Sequence, residues 1–488
     1  MDSIKQVWEE VEENLIKIRE DFAKDPTRMA EFERGVHAEF GRLERDFLKQ
    51  TLEDRDNQIR GSLKRLENWV VVRKDKKQLV TIAGTVTFKK TLFKSKKDGH
   101  SEYLLDKLLG LESHERVTEA AKAQILEEAV QTSYRRGGEA ACATEDKISK
   151  EAVKDILHPL DFPAEKEPDE KKVVDFLYID ADEDHIPLQF REKKGDLVIG
   201  ENNWKNNCVL GKIVYVYEGI DPDSPKSKRC HLVNPHYFCG LYEGENNARF
   251  WDYIYQYICD NYDVEKITKI YLNGDCGGWI KAGRTRINGI TTVLDEFHMQ
   301  KYLLKITGHL LDSAEDARSE LTRLIYKGAK KGFREKIEEI AGYGDSEKKQ
   351  KRIKEAGDYI LNNWAAARIR VCREDTVIGC SAEGHVSHIL SDRMSSRPRG
   401  WSKTGADKMC HLRAYYKNGG DMLELVRYQN EMKPAVGEEY TGILSSTAMI
   451  RTEKNTHGNV GKYYEAMNHR LSLQAKEQLY FNSGIWTL

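Results

Sequence analysis

Apolar residues near the start of the chain recur every three to four positions. Ile4, Val7, Val11, Leu15 and Ile18 have the spacing of a helix that buries one face. Asp25-Pro26 reads as an N-cap followed by proline at the first helical position, opening a second helix to about Phe47. From residue 67 the period changes, and LVTIAGTVTFKKTLF reads as β-strand broken at Gly84, with KSKKDGH as the turn that follows. Residues 105–160 then predict three short helices. Thr118 caps AAKAQILEEAVQT, and Ser149 caps KEAVKDILH after SYRRGGEAAC. A short helix, a turn and a second capped helix bearing Lys147, Lys150 and Lys154 fit a helix-turn-helix.

The pattern from 172 onward is α/β. VVDFLYI is nearly continuous apolar, as expected of a strand buried on both faces. HIPLQF is a second predicted strand and CVLGKIVYVY a third. NNARFWDYIYQYICDNY is an amphipathic helix with Phe250, Ile254 and Ile258 on one face, and ITKIYLNGD and TTVLD are two further strands. Residues 297–372 return to helical spacing, with one stripe at Met299, Leu303, Ile306 and Leu310 and another at Ile353, Gly357, Ile360 and Trp364. A stretch of this length between strands is a helical insertion rather than a loop. The predicted organisation is therefore a helical region at 1–66, offering a dimerisation element, and a basic β-ribbon with helix-turn-helix at 67–160. A linker at 161–171, DFPAEKEPDEK, leads to an α/β domain at 172–296 and 373–420 that is interrupted at 297–372. The last part, 421–488, reads as a polar arm.

Composition adjusts this picture in three places. The 488 residues are 39% hydrophobic and 32% charged, with no apolar run of about 18 residues to span a bilayer. The acidic, amphipathic MDSIKQVWEEVEENL has no signal-peptide core, which gives a cytoplasmic expectation. The nine cysteines form no CxxC pair, so neither a zinc ribbon nor a disulfide scaffold is expected. The net charge of −2 counts against nucleic-acid binding. It counts only mildly, because phosphate contacts need local positive surface rather than a positive total. Such surface is offered by Lys89, Lys90, Lys94, Lys96 and Lys97 in the ribbon and by Arg135, Arg136, Lys150 and Lys154 in the helix-turn-helix. A third cluster, His385, Arg393, Arg397, Arg399, Lys403 and Arg413, follows the last acid discussed below.

Three carboxylates sit at the ends of predicted elements. Asp182 lies in YIDADEDHI, Asp275 in YLNGDCGGWI, and Glu383 at the start of a predicted helix in GCSAEGHVSHILSDR. Charges directly after buried strands stand at the sheet's edge, where they can converge. A few hard oxygen ligands suffice for Mg²⁺, and two such ions about 4 Å apart support in-line phosphodiester displacement. Each acid alone is weak, since the chain has 80 Asp and Glu residues and an Asp after a strand is often a turn former. Alternation along a strand puts Asp180, Asp182 and Asp184 on one face, so the sequence does not choose strictly among them.

The segments YIDADEDHIPLQ, YLNGDCGGWIKAG, LDEFHMQKYL and GCSAEGHVSHILSDRMSSRPRGWSKTGADKMCHLR, with GTVTFKKTLFKSKKDGHSEYLLDKLLGL before them, resemble bacterial insertion-sequence transposases of the ISLre type. That group is similar to the mutator-like DDE transposases, and the resemblance runs from about 78 to 420. It implies an RNase H-like catalytic domain that holds two Mg²⁺ (or Mn²⁺) ions on Asp182, Asp275 and Glu383. It implies double-stranded DNA as partner, both terminal inverted repeats and target, and a homodimer or higher oligomer in the bacterial cytoplasm, associated with the nucleoid. It also carries an Asp-x-x-His motif onto Asp295 and His298, with His298 orienting an acid or touching the scissile phosphate, or simply closing a helix start. The indole of Trp364 is either a base-stacking platform or core, and core is weighed higher for it and for Trp279. The resemblance implies glycine after the first acid, whereas Glu183 stands there. That departure leaves open a domesticated chain that only binds DNA, beside an RNase H-like nuclease that cuts without strand transfer.

Overall fold

A computed structural model of the protein describes residues 2–112, 114–142, 147–165, 167–190, 198–199, 205–373, 376–396 and 400–431. They divide into two compact units, one formed mainly by the chain up to 124 and the other by 125–138 and 148–428. Among the described residues no helix is long and apolar enough to cross a membrane.

The first unit opens with helices α1 (Asp2–Lys24), α2 (Met29–Gly61) and α3 (Leu63–Asn68). α1 and α2 pack as an antiparallel hairpin, with Phe22 stacked on Phe32 and Ile18 lying against Gly35. Asp25 does not cap α2 as expected. Its carboxylate accepts from the Thr27 N–H and hydroxyl, closing a turn, and the helix starts three residues later. Strands β1 (Trp69–Thr81) and β2 (Gly84–Ser95) pair antiparallel through a tight turn. Gly84 sits there at φ 120, a conformation open only to glycine. Short β3 (Ser101–Glu102) and helix α4 (Leu104–Leu108) complete a core of Ile59, Trp69, Leu79, Val86, Phe88, Phe93, Leu104 and Leu105.

Lys90 does not face solvent with the other ribbon lysines. It is buried together with Lys77, both ammonium groups meet the Asp106 carboxylate, and the Lys90 Nζ lies 3.6 Å from the Tyr103 ring centroid. Alternation along β2 decides this: Phe88 and Lys90 share the inward face, and a cation there needs a partner.

Helices α5 (Glu119–Gln131), α6 (Tyr134–Glu139) and α7 (Lys150–Leu157) follow. Thr118 and Ser149 cap α5 and α7 through their hydroxyls, accepting from the N–H groups of Ala121 and Ala152.

The second unit is built on a mixed five-stranded sheet. Its strands are β4 (Phe176–Pro187), β7 (Cys208–Tyr217), β10 (His236–Gly240), β11 (Lys269–Gly274) and β12 (Ile290–Leu294). Two small hairpins lie between them in the chain, β5 (Val198–Ile199) with β6 (Lys205–Asn206) and β8 (Gly219–Pro222) with β9 (Cys230–Val233). The order across the large sheet is β10-β7-β4-β11-β12. The first three strands are antiparallel neighbours, and β4, β11 and β12 run parallel. The chain is thus a mixed α/β protein with a helical N-terminal region.

Two predicted strands prove to be one. β4 runs unbroken through Asp180, Asp182 and Asp184 into Ile186, because those acids alternate onto one face while Ile179 and Ala181 take the other. The third antiparallel strand, β10, is a short apolar run missed in the sequence.

One sheet face carries Leu177, Ile179, Ala181, Val214, Val216, Ile270 and Leu272. It packs against Phe250, Trp251, Ile254 and Ile258 of α8 (Asn246–Asn261) and Ile280 of α9 (Gly278–Arg286). After β12 come α10 (Glu296–Thr307), a 3₁₀ turn at 311–313, α11 (Ala314–Tyr326), α12 (Lys330–Gly342), α13 (Glu347–Asn362) and α14 (Trp364–Cys372). They share a core in which Met299, Leu303, Ile306, Ile353 and Ile360 are buried. Trp364 packs edge-on against Phe333, with ring centroids 5.3 Å apart. The chain then returns through α15 (Ala382–His385), a π-helical turn at 386–391 and α16 (Asp392–Met394) to α17 (Lys403–Lys417) and α18 (Met422–Glu431). Of the arm expected at 421–488, only its beginning lies within the described residues.

Candidate functional site

The site begins with strand register. β11 pairs with β4 so that Asn273 faces Asp180, and with β12 so that Gly274 faces Leu294. Two residues past the first pair and one past the second, Asp182, Asp275 and Asp295 come to the same level, Asp182 within β4 and the other two just beyond the ends of β11 and β12. Asp182 does not follow its strand, as expected, but lies within it, paired with Ile213 on the other side. β4 simply continues where β11 stops. The close approach is visible at Gly274, where a Cβ would stand 2.8 Å from the Ala181 carbonyl oxygen.

The loop after β11 fixes Asp275. Its Oδ1 accepts the Gly277 N–H at 2.7 Å, and a Cβ at Gly277 would stand 3.0 Å from that oxygen. Cys276 between them holds φ 59, a left-handed backbone that costs a non-glycine residue about 1 kcal/mol or more. The Tyr359 hydroxyl donates to the Asp275 carbonyl, and the Asp295 N–H donates to the Gly274 carbonyl at 2.9 Å.

The electrostatics follow from burial. Burial pushes the Asp182 carboxyl up to about 7; neighbouring Asp275 and Asp295 push the same way, while the Glu183 N–H and the charge of His298 pull it back. Asp295 is buried too, which would raise it, yet it is held below the usual range by the His298 ring and the N–H groups of Phe297 and His298. Its Oδ1 caps α10 through the Phe297 N–H at 2.9 Å, and its Oδ2 meets His298 Nδ1 at 2.7 Å. The imidazole is correspondingly raised, first by the bond to Asp295 and further by Asp275 and Asp182, against burial. Of the alternatives left open for His298, a bond to an acid is present, to Asp295.

Asp180, Asp182 and Asp184 are now distinguished. Asp180 is fully buried and accepts from Tyr215 Oη at 2.7 Å, Tyr217 Oη at 3.1 Å, Asn273 Nδ2 at 2.7 Å and the Ser381 N–H at 3.0 Å. Asp184 accepts from the Ser395 hydroxyl at 2.6 Å. For Asp182 one bond is described, from the Glu183 N–H at 2.8 Å. Glu183 alternates onto the other face, where Trp279 Nε1 donates to it at 2.6 Å.

Glu383 is the second residue of α15, two residues beyond Ser381, whose N–H donates to Asp180, and it is exposed. Asp182 and Asp275 are thus brought together, with Asp295 and His298 beside them, and Glu383 lies outside that group. Among the described residues no three His, Cys, Asp or Glu side chains already converge as a metal site. The two adjacent hard-oxygen carboxylates, one held well above its usual range by burial and by its neighbours, nonetheless have the chemistry a divalent cation fits.

The expected DNA contacts divide. Arg135 and Arg136 on α6 are exposed. Lys150 and Lys154 on α7 are exposed beside Glu151 at 3.7 Å and Asp155 at 3.1 Å. Lys403 meets Glu243 at 2.5 Å. Arg397 and Arg399 lie outside the described residues.

Arg393 cannot serve as expected. It is 2% exposed, donates to the Ala129 carbonyl at 3.0 Å and lies over the Trp401 ring at 4.6 Å. Arg413 is likewise buried, donating to the carbonyls of Val130, His388 and Ile389. Burial pushes His385 down to about 4, so it adds no positive charge at neutral pH. A guanidinium buried in a unit becomes a cross-link between carbonyl groups. The sequence reading also passed over Arg370, Asn273 and Tyr215. Their trace was visible in polar or hydroxyl-bearing positions inside apolar runs, such as VYVY and IYLNG.

Residues 22–431 match the uncharacterised protein family UPF0236. A UPF0236 protein of Caldanaerobacter subterraneus subsp. tengcongensis, whose name joins eleven loci, is 37% identical over 84% of this chain and 82% of its own length. A second from that organism, named for four loci, is 36% identical over 85% of the chain and 83% of its length. A Streptococcus gallolyticus protein named for the vanSb 3′ region is 24% identical over 81% of the chain and 84% of its length. By the extent of these matches, the chain belongs to the UPF0236 family.

Proposed function

We propose that this protein is a DNA transposase whose second unit is an RNase H-like catalytic domain interrupted by the helices of 296–372. The observation that carries the reading is the row of Asp182, Asp275 and Asp295 across three parallel strands, with His298 bonded to the last. The sheet order, in which three antiparallel strands are followed by two parallel ones, agrees with it. So does the recurrence of relatives at eleven and at four loci of one organism, a distribution that fits a mobile element.

In this reading Asp182 and Asp275, with Glu383 from α15, would hold the divalent ions. Two Mg²⁺ ions bound there would supply activation of the nucleophile and stabilisation of the leaving oxygen. The chain itself contributes position and field. Asp295 fixes His298, whose imidazolium faces the site and can donate to a phosphate oxygen.

Water attacks the phosphorus at the element's end, the P–O3′ bond breaks, and the 3′-oxygen leaves with a proton. The freed 3′-OH then attacks a target phosphodiester and displaces that strand's own 3′-oxygen. One bond forms for each that breaks, so no high-energy cofactor is needed. Arg135, Arg136, Lys150, Lys154 and the exposed lysines of the ribbon are the proposed contacts to DNA phosphates.

The test incubates the full-length protein with DNA carrying the sequences that flank its gene, in Mg²⁺, beside Asp275→Ala. Nicking by the wild type alone, followed by joined products, supports transposition. Nicking without joining identifies a nuclease. Equal nicking by both proteins removes the catalytic assignment.

A further inference from the structure

The segment that leads to Glu383 has no regular backbone hydrogen bonding between 376 and 381, yet side chains fasten it to the sheet along its length. Tyr178 Oη donates to the Thr376 carbonyl at 2.8 Å, and Tyr271 Oη shares a hydrogen bond with the Thr376 hydroxyl at 2.6 Å. Arg370 Nη1 donates to the Ile378 carbonyl at 2.9 Å. At the far end Ser381 is held twice, by its N–H to Asp180 and by its hydroxyl to Tyr215 at 2.8 Å.

Asp180 is the hub of these bonds. Besides Ser381 it takes Tyr215, Tyr217 and Asn273. Asn273 in turn accepts from Arg370 Nη2 at 2.9 Å, and Arg370 Nε donates to the Leu294 carbonyl at 2.9 Å, next to Asp295. Both ends of the helical stretch 296–372 are therefore tied to one buried carboxylate, which itself lies one strand repeat from Asp182.

We propose that Asp180 is a positioning residue: through Ser381 on one side and Asn273 with Arg370 on the other, it sets α15 and Glu383 against the level of Asp182 and Asp275. This rests on the metal reading above and deepens it. Four donors already saturate Asp180, so it is not a ligand. Its geometry sets it to fix the backbone around it, including the stretch that carries Glu383. Groups that orient a metal ligand without touching the metal commonly change affinity roughly 10- to 100-fold when altered.

The test compares the full-length wild type with Asp180→Asn, an isostere that places an amide among four donors. Three quantities are read: melting temperature, affinity for duplex DNA without metal, and affinity for Mn²⁺. Local backbone cutting by bound Fe²⁺ with ascorbate and peroxide adds a map of the site. The expected variant folds and binds DNA as the wild type does, loses Mn²⁺ affinity roughly 10-fold or more, and loses Fe²⁺ cuts at 382–385 while keeping those near 182 and 275.

A folded variant with wild-type Mn²⁺ affinity and an unchanged cutting map overturns the inference. Should Asp180→Asn fail to fold, Asn273→Ala decides, because it cuts the link from Asp180 to Arg370 and leaves the Ser381 bond in place. Weaker Mn²⁺ binding then supports the inference, and wild-type binding with wild-type cuts overturns it. A wild type that takes up no Mn²⁺ overturns the metal reading and the inference with it, a result told apart because no variant is needed to see it.

Discussion

On one face of the five-stranded sheet, Leu177, Ile179, Ala181, Val214 and Val216 meet Phe250, Trp251, Ile254 and Ile258. On the other, the same strands present Tyr178, Asp180 and Asp182 from β4, Tyr215 and Tyr217 from β7, and Tyr271 and Asn273 from β11. The first face is held by removal of apolar area from water, which is non-directional. The second is held by directed bonds. Tyr178 stacks between Tyr217 and Tyr271 with centroids 5.5 Å away on each side, and the hydroxyls reach Asp180, Thr376 and Ser381. An apolar face tolerates sliding of a methyl group, whereas a hydrogen-bonded face fixes where the next carboxylate stands. That difference suits the second face to the proposed site, in which Asp182, Asp275 and Glu383 would have to meet within a metal's reach.

The comparison can be broken at several points. The largest effect is expected at Asp182→Asn, which should reduce DNA strand cleavage on the order of a thousandfold, equivalent to several kcal/mol of lost transition-state stabilisation. Folding should not suffer. Burial raises Asp182 to about 7, above its unfolded value, so its contribution is favourable at low pH and is lost as pH rises through 7. The Asn variant without metal should therefore melt no lower than the wild type at pH 8. Lower melting would show that the acid serves the fold rather than a site.

On the apolar face, Phe250→Ala should cost about 3–5 kcal/mol in urea unfolding. A much smaller loss would mean that the two faces do not divide the work as described. Tyr217→Phe, on the bonded face, should cost about 1–2 kcal/mol, since Asn273 still donates to the same Asp180 oxygen. No change would remove that hydroxyl from the account.

The smallest effect concerns His298. Its raised pKa means that the stability gained from Asp295 is full below about 6.5, the unfolded value, and is lost as pH rises through the folded value. The depressed Asp295 means that the same bond weakens again as pH falls below about 4. His298→Gln should flatten stability against pH across that upper limb by about 1 kcal/mol. A wild-type curve already flat between pH 6 and 8 would contradict the pairing.

How much the sequence foretold follows the same division between faces. Apolar periodicity marked α8, β11, β12 and the buried positions 299, 303, 306, 353 and 360, because burial leaves a repeat in composition. It split β4 into two strands with Asp182 after the first, although the three alternating acids it placed on one face are the bonded face of a continuous strand. It marked Asp182 and Asp275, which lie next to the apolar runs, whereas Asp295 and His298 came only from the family resemblance. It did not mark Arg370 or Asn273, whose mutual bond spans 97 residues of chain and leaves no local spacing. Charge alone misled at Lys90, Arg393 and Arg413, since a basic side chain looks the same in sequence whether it meets water or a buried carbonyl.

The central claim is that Asp182 and Asp275 share divalent cations. Anomalous scattering from crystals grown with Mn²⁺ tests it most directly. The account predicts metal density between the two carboxylates, with Glu383 turned toward it and oxygen distances of about 2.0–2.2 Å, close to those of Mg²⁺. Density at other acids, with the 182–275 pair bare in crystals that hold Mn²⁺ elsewhere, would contradict it.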